Sequence, residues 1–139
     1  MVDRLTPKRR SWLMSRVRGR DTTPEMAVRR VAHALGYRFR LHRRDLPGSP
    51  DLVFTRFRAV VFVHGCFWHH HRNCPKATIP KTRTDFWREK FRVNRQRDKR
   101  VLRKLAQLGW RPLVVWECET KDREALASRL VTHLEERNV

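Results

Sequence analysis

A mixed α/β domain, with a small sheet flanked by helices, is the fold this sequence predicts, and three observations predict it. Short apolar runs of strand length, such as Ala59-Val60-Val61-Phe62-Val63, stand between longer stretches with helical spacing. Helix start and stop residues bracket those stretches, with Thr22 and Glu25 at capping-box spacing before the first and Gly109 after the longest. At 139 residues the chain has the length of one ordinary domain, large enough to bury a core without disulfides. No repeat, low-complexity tract or Gly/Ser linker divides it, so we read a basic arm over residues 1–20 and a single domain over 21–139.

The elements follow in order. The first helix is expected from about Pro24 to Leu35, with Pro24 in its first turn, Gly36 as its stop, and Met26, Val28, Val31 and Leu35 as its apolar residues. Asp51 to Thr55 and Ala59 to His64 read as two strands of a hairpin. A long helix is expected from Thr84 to Leu108, then a buried strand from Arg111 to Glu117. A last helix runs from Asp122 to Arg137, with Leu126, Leu130 and Leu134 on one face. Helix, strands, helix, strand, helix is the order of a mixed sheet covered by helices.

At 100° per residue, one side of the long helix collects Trp87, Phe91, Asn94, Asp98, Val101, Leu102, Leu105 and Leu108. Asp98 interrupts that apolar stripe, and a carboxylate facing a core is costly unless it is paired or holds a metal. A structural ion pair with an arginine would satisfy it, and so would a site shared with the histidines described below. Arg88, Arg92, Arg95, Lys99 and Arg103 form a separate stripe, either a solvated face or a track for phosphates.

Charge narrows the partners. The formal net charge is +19, from 33 Lys+Arg against 14 Asp+Glu. Such self-repulsion is costly without a polyanion, and nucleic acid fits better than a membrane, because no basic amphipathic segment stands apart. Residues 1–20 alone carry seven Lys/Arg and one Asp, interleaved with Trp12, Leu13, Met14 and Val17. That density of apolar residues favours an arm that orders on DNA over a solubilising tail. The N-terminal residues have no apolar signal-peptide core, and no apolar run approaches a membrane span. Three cysteines argue against a disulfide framework and for an intracellular protein whose thiols are reduced or metal-bound.

Chemistry concentrates in Val63 to Cys74, where twelve residues hold two thiols, four imidazoles and two adjacent aromatics. Cys66, His71 and Cys74 stand as C-x4-H-x2-C, and Cys118 lies 44 residues after Cys74. Three cysteines and one histidine are a closed tetrahedral set of the kind that holds structural zinc, and it uses every cysteine in the chain. By spacing alone, His69 and His70 compete with His71 for the fourth place. Ahead of this block, Pro47-Gly48-Ser49-Pro50 is a turn that delivers Asp51 to the start of a strand. A carboxylate and the main-chain carbonyl at the end of the next strand are hard oxygen donors suited to Mg²⁺, and a nearby imidazole can take a proton from water. Asp51 alone would read as a turn cap; the neighbouring histidines tip the balance. Phe67 and Trp68, with Trp87 downstream, are either core packing or wedges that part stacked bases.

Together these residues resemble the very-short-patch repair endonucleases (Vsr), which nick DNA at T·G mismatches. The resemblance runs from about residue 10 to 135 and rests on Arg20-Asp21-Thr22, Leu46 to Asp51, His64 to His71, Thr82 to Trp87, Glu89-Lys90, Asn94, Arg97-Asp98 and Gly109-Trp110-Arg111 through Cys118. It implies a restriction-endonuclease-like central sheet with a structural zinc on Cys66, His71, Cys74 and Cys118. It further implies that Asp51 and the Val63 main-chain carbonyl bind catalytic Mg²⁺. His69 would act with Asp98 on water, and His64 and Glu25 would support them. Phe67, Trp68 and Trp87 would intercalate, Met14 would approach from the arm, and Lys90 and Asn94 would contact the mismatched pair. The partners implied are double-stranded DNA with a T·G mismatch and mismatch-repair proteins. A monomer in the bacterial cytoplasm, beside the nucleoid, completes the expectation. A zinc-stabilised DNA-binding protein without nuclease activity explains the charge, the cysteines and the aromatics, but leaves Asp51, His69 and Asp98 without a purpose. An ordinary nuclease cutting both strands of matched DNA is the other competitor.

Overall fold

The computed structural model describes residues 22–136. The basic arm over residues 1–20, Met14 included, lies outside that range. The elements are α1 (Thr23–Ala34), β1 (Arg40–Leu41), β2 (Leu52–Phe54), β3 (Ala59–His64), α2 (Thr84–Gln107), β4 (Arg111–Trp116) and α3 (Arg123–Glu135), with 3₁₀ turns at Thr55–Phe57 and Glu117–Lys121.

The helix ends obey local chemistry. Thr22 Oγ1 accepts the Glu25 amide at 3.3 Å, satisfying one of the amides that a first turn leaves open. Gly36 and Gly109 take φ of +86° and +87° just past α1 and α2, the left-handed stop that glycine makes without a Cβ clash. Asp122 caps α3 by accepting the Ala125 amide at 3.1 Å.

The four strands lie in the order β1-β2-β3-β4. β1 and β2 are antiparallel, as are β2 and β3, and β3 runs parallel to β4. The sheet is therefore mixed, and the chain crosses from β3 to β4 through a loop and α2. Alternation along β3 sends Ala59 and Val61 to one face and Val60 and Phe62 to the other. The first face packs under α1 and α3, against Val28, Val31, Ala32, Leu126, Leu130 and Leu134. The second packs under α2, against Leu105 with Val101 and Leu102. Burying a leucine of the Leu126, Leu130, Leu134 row contributes roughly 1.5–3 kcal/mol, so the row anchors α3 firmly. At the base of β4, Arg111 donates to the carbonyls of His133 (2.6 Å) and Phe57 (3.0 Å), and His133 Nε2 donates back to Arg111 O at 2.9 Å.

The structure departs from the sequence reading in four places. β1 is additional; its signal is the alternation Tyr37-Arg38-Phe39-Arg40-Leu41-His42, in which Tyr37 and Phe39 pack on the first core while both residues of the strand are exposed. β4 is half-buried rather than buried, with Val115 its one fully covered residue. Glu117, expected to end that strand, instead opens the 3₁₀ turn that also holds Cys118. Leu35 and Leu108, expected on apolar faces, are exposed because each sits at a C-cap, past the last turn that the sheet covers. Among the described residues no helix is long and apolar enough to cross a membrane.

Candidate functional site

Parallel pairing of β3 with β4 places His64 opposite Trp116. Two residues beyond each partner stand Cys66 and Cys118, so the remote cysteine arrives beside the loop through sheet register. The loop itself is a series of tight turns, with the amides of His69, His71 and Cys74 bonded to the carbonyls of Gly65 (3.1 Å), Cys66 (2.8 Å) and His71 (3.3 Å). His70 and Asn73 take left-handed backbone angles within it. The turns gather Cys66, His71, Cys74 and Cys118, with one donor atom from each within 4.8 Å of the others. His71 Nδ1 lies 3.7 Å from Cys66 Sγ and 3.5 Å from Cys118 Sγ. No disulfide joins the three thiols. Geometry thus selects His71 for the Cys/His cluster, while His69 and His70 turn elsewhere.

The cluster is braced from outside. Glu117 Oε1 accepts the Cys66 amide at 3.2 Å, and Glu119 Oε1 accepts the Trp116 amide at 2.8 Å while Arg129 holds its other oxygen at 2.6 Å. Burial pushes the Cys66 thiol up to about 12 and raises Cys118, whereas the backbone amide of Lys76 draws Cys74 down. A divalent cation among them would displace the protons that burial retains.

On the α2 face of the sheet lies an open cleft of about 500 Å³, lined by Glu25, His42, Asp51, Val63, His64, His69, Arg97 and Asp98 among others. His69 Nδ1 lies 2.7 Å from Asp98 Oδ2. With a carboxylate as partner, Nδ1 is the donor, and Nε2 keeps a lone pair. The His69 ring stacks on His64 at 3.8 Å and 4°. Burial above all pushes His64 down to about 4, so this ring of the stack is neutral at physiological pH. Asp51 Oδ2 accepts the Val63 amide at 2.7 Å. Burial, more than the repulsion from Glu25, raises Asp51 to about 7 against the pull of the Val63 amide. Glu25 is buried at 2% exposure, its carboxylate turned to Arg29 at 3.3 Å. Glu25, His42 and Asp51 form a second donor group that could hold a metal, and His64, His69 and Asp98 a third.

Trp116 abuts both the cleft and the Cys/His cluster. Its ring stacks on His71 at 4.1 Å and 9°, and stands edge-on to His64 at 5.3 Å and His69 at 6.4 Å.

The aromatics pack on one another. Phe67 packs on Trp68 (5.5 Å), Trp87 (5.5 Å) and Phe91 (5.2 Å). Trp87 is buried and Phe67 and Trp68 half-buried, while Phe86 is exposed at the rim. Asn94 is also buried, and its amide donates to the Trp68 carbonyl at 3.0 Å. Lys90 is exposed, as are all of Arg88, Arg92, Arg95, Lys99 and Arg103; Arg92 is paired with Glu89. Sequence reasoning passed over His42 in the cleft wall and Arg29, which contacts Glu25 and His42. The period-two run ending at His42 was the available signal for that residue, since it carries the imidazole alongside β2 to the level of Asp51.

Comparison with known proteins shows the family. The family model described as DNA mismatch endonuclease Vsr matches residues 2–76. The type II nicking enzyme V.XorIIP of Xanthomonas oryzae pv. oryzae is 55% identical over 130 residues, covering 94% of this chain and 95% of its own. The nicking enzyme V.NmeAIP of Neisseria meningitidis is 40% identical, with 94% and 92% covered. The DNA mismatch endonuclease Vsr of Escherichia coli is 44% identical over 123 residues, with 88% and 78% covered.

Proposed function

The chain belongs to the Vsr family of DNA mismatch endonucleases, and from that premise we propose that it nicks one DNA strand 5′ to the T of a T·G mismatch. Such mismatches arise when 5-methylcytosine deaminates, and a nick leaving a 5′-phosphate and a 3′-hydroxyl opens a short patch for resynthesis. The observation that carries the proposal is one cleft holding a metal-suited carboxylate, Asp51, together with an oriented imidazole, His69 on Asp98.

Two metals fit the residues present. Tetrahedral zinc with Zn–S near 2.3 Å and Zn–N near 2.05 Å sets an S···N edge of about 3.5 Å. The observed separations of 3.7 and 3.5 Å match it, so Cys66, His71, Cys74 and Cys118 are assigned structural zinc. Asp51 and Glu25 are carboxylates removed from water beside each other, a setting relieved by a hard cation. Mg²⁺ held by Asp51 and the Val63 carbonyl would supply charge stabilisation for the phosphate under attack.

His69 Nε2 takes the proton from the attacking water, and Asp98 keeps the ring in the required tautomer and offsets the charge it gains. His64, stacked beneath and neutral, supports that ring without competing for the proton. Glu25 fixes the far wall of the cleft. Phe67 and Trp68, with Trp87 behind them, form the wedge, Lys90 and Asn94 contact the mismatched pair, and Met14 approaches from the arm. A mismatch is cheaper to unstack than a matched pair, so the wedge itself confers selectivity. Lys/Arg contacts to phosphates make the affinity fall steeply with salt.

A nicking assay on T·G and matched duplexes, with Mg²⁺ and then EDTA, decides the matter. Nicking of the T·G duplex alone, abolished by EDTA, is expected. Absence of cleavage would leave a zinc-stabilised DNA-binding protein, and equal cutting of matched DNA would leave an ordinary nuclease.

A further inference from the structure

The mechanism above leaves Arg29 and His42 without a part, yet His42 lines the cleft beside Asp51 and Arg29 contacts His42. His42 follows directly on β1 and adopts φ +49°, a left-handed angle that strains a non-glycine residue. Its amide donates to the Asp51 carbonyl at 3.3 Å, which ties the strained residue to the site residue itself. The turn directs the imidazole between two carboxylates, with Nε2 3.5 Å from Glu25 Oε2 and Nδ1 3.7 Å from Asp51 Oδ1. Arg29, one helical turn after Glu25, sends Nη2 to Glu25 Oε2 at 3.3 Å and to His42 Nε2 at 3.0 Å.

The protons follow from these contacts. A guanidinium has donors only, so His42 Nε2 is the acceptor and the ring hydrogen sits on Nδ1, facing Asp51 Oδ1. Neither nitrogen then offers a lone pair to a cation in the cleft, which argues against His42 as a metal ligand. Asp51 is instead flanked on two sides: the Val63 amide bonds Oδ2 at 2.7 Å, and the His42 imidazole stands 3.7 Å from Oδ1, an electrostatic rather than a hydrogen-bonding separation.

We propose that Arg29 and His42 act as one positioning unit for Asp51: Arg29 fixes the His42 tautomer, and His42 Nδ1–H holds the carboxylate in the orientation that receives the metal. This rests on Asp51 being the metal ligand. Partners that orient a ligand from behind typically change metal affinity about 10–100-fold when removed.

The test uses the full-length zinc-loaded protein on a T·G duplex, with Mn²⁺ as the probe. Two quantities are read: the Mn²⁺ concentration giving half-maximal nicking, and Mn²⁺ binding by electron paramagnetic resonance on a phosphorothioate duplex that resists cleavage. His42→Ala and Arg29→Met, the latter keeping the aliphatic stem, should each raise half-saturation by about tenfold or more. The maximal rate should change far less. The double variant should lose no more than either single one, because a unit broken once cannot be broken again. His42→Gln, whose amide can accept from Arg29 and donate to Asp51, should recover most of the loss. Zinc content and melting temperature, measured in parallel, separate these effects from unfolding. Unchanged half-saturation in His42→Ala, multiplicative losses in the double variant, or a Gln variant as poor as Ala would each overturn the proposal. Asp51→Asn is the reference: if it binds Mn²⁺ as wild type does, Asp51 as metal ligand is what fails. If Asp51→Asn loses Mn²⁺ while His42→Ala does not, only the positioning unit fails.

Discussion

The Cys/His cluster and the cleft both abut the Trp116 ring, and both are made of groups that ordinarily bind metals, yet they are built to opposite ends. In the cluster, three sulfurs and one nitrogen lie within 4.8 Å of one another, and the turns around them are closed by backbone hydrogen bonds. In the cleft, carboxylates and imidazoles are spread over two donor groups around about 500 Å³ of open space. Soft, closed donors suit a metal that never leaves; hard, open donors suit one that shares its ligands with a substrate. The difference teaches that metal-binding residue types alone do not divide scaffold from chemistry. Closure does.

That contrast can be broken by mutation, and the largest effect should come from the cleft. Asp51→Ala and His69→Ala are each expected to lower single-turnover nicking by roughly 10²-fold or more, the scale of a lost general base, while T·G duplex binding and melting temperature hold. If both variants lose DNA binding as well, these residues hold the fold and the cleft is no more catalytic than the cluster. Cys118→Ser should do the reverse. We expect zinc to be lost by elemental analysis and stability to fall by several kcal/mol, on the order of 10 °C or more in melting temperature. Unchanged zinc content would remove Cys118 from the ligand set.

Protons sharpen the same contrast. Asp51 stays protonated up to about pH 7 in the folded chain against an ordinary 3.8, so its contribution to stability is full below 3.8 and disappears as pH rises through about 7. His64 runs the other way: depressed to about 4 from 6.5, it contributes above 6.5 and the contribution is lost as pH falls through about 4. At limiting Mg²⁺, nicking should therefore climb close to tenfold per unit of pH below about 7 and level off above it. A flat profile from pH 5.5 to 8 would remove Asp51 from the metal-binding step. The smallest expected effect lies at the boundary. Trp116→Phe should weaken both zinc retention and nicking by about 1 kcal/mol each, since its ring stacks on His71 and meets the His64–His69 pair edge-on. A change on one side alone would show that the two regions are independent.

Much of this was legible in the chain. Thr22, Gly36, Gly109 and Asp122 mark helix ends because capping chemistry is local, and the structure places them there. The β2–β3 hairpin and the three helices follow from period alone. What escaped was anything set by contact rather than period. β1 spans two residues, too short for a pattern to stand out. The apolar stripe of α2 reads continuously to Leu108, but cover ends with the sheet, and Leu108 is 54% exposed. Trp87 stood on the apolar stripe of α2 and is buried, whereas Phe67 and Trp68 gave no sign of whether they stand apart or pack, and both pack with it.

The sequence by itself determined the inventory: a basic α/β chain with three thiols and a histidine-rich loop at the end of a strand, because composition and period are properties of neighbours along the chain. The tertiary structure decided the allocation. Parallel register between β3 and β4 brought Cys118 to Cys66, loop turns chose His71 over His69 and His70, and a left-handed residue after β1 swung His42 behind Asp51. Each depends on the direction of a side chain relative to a distant strand. Only the paired and packed sheet defines that direction.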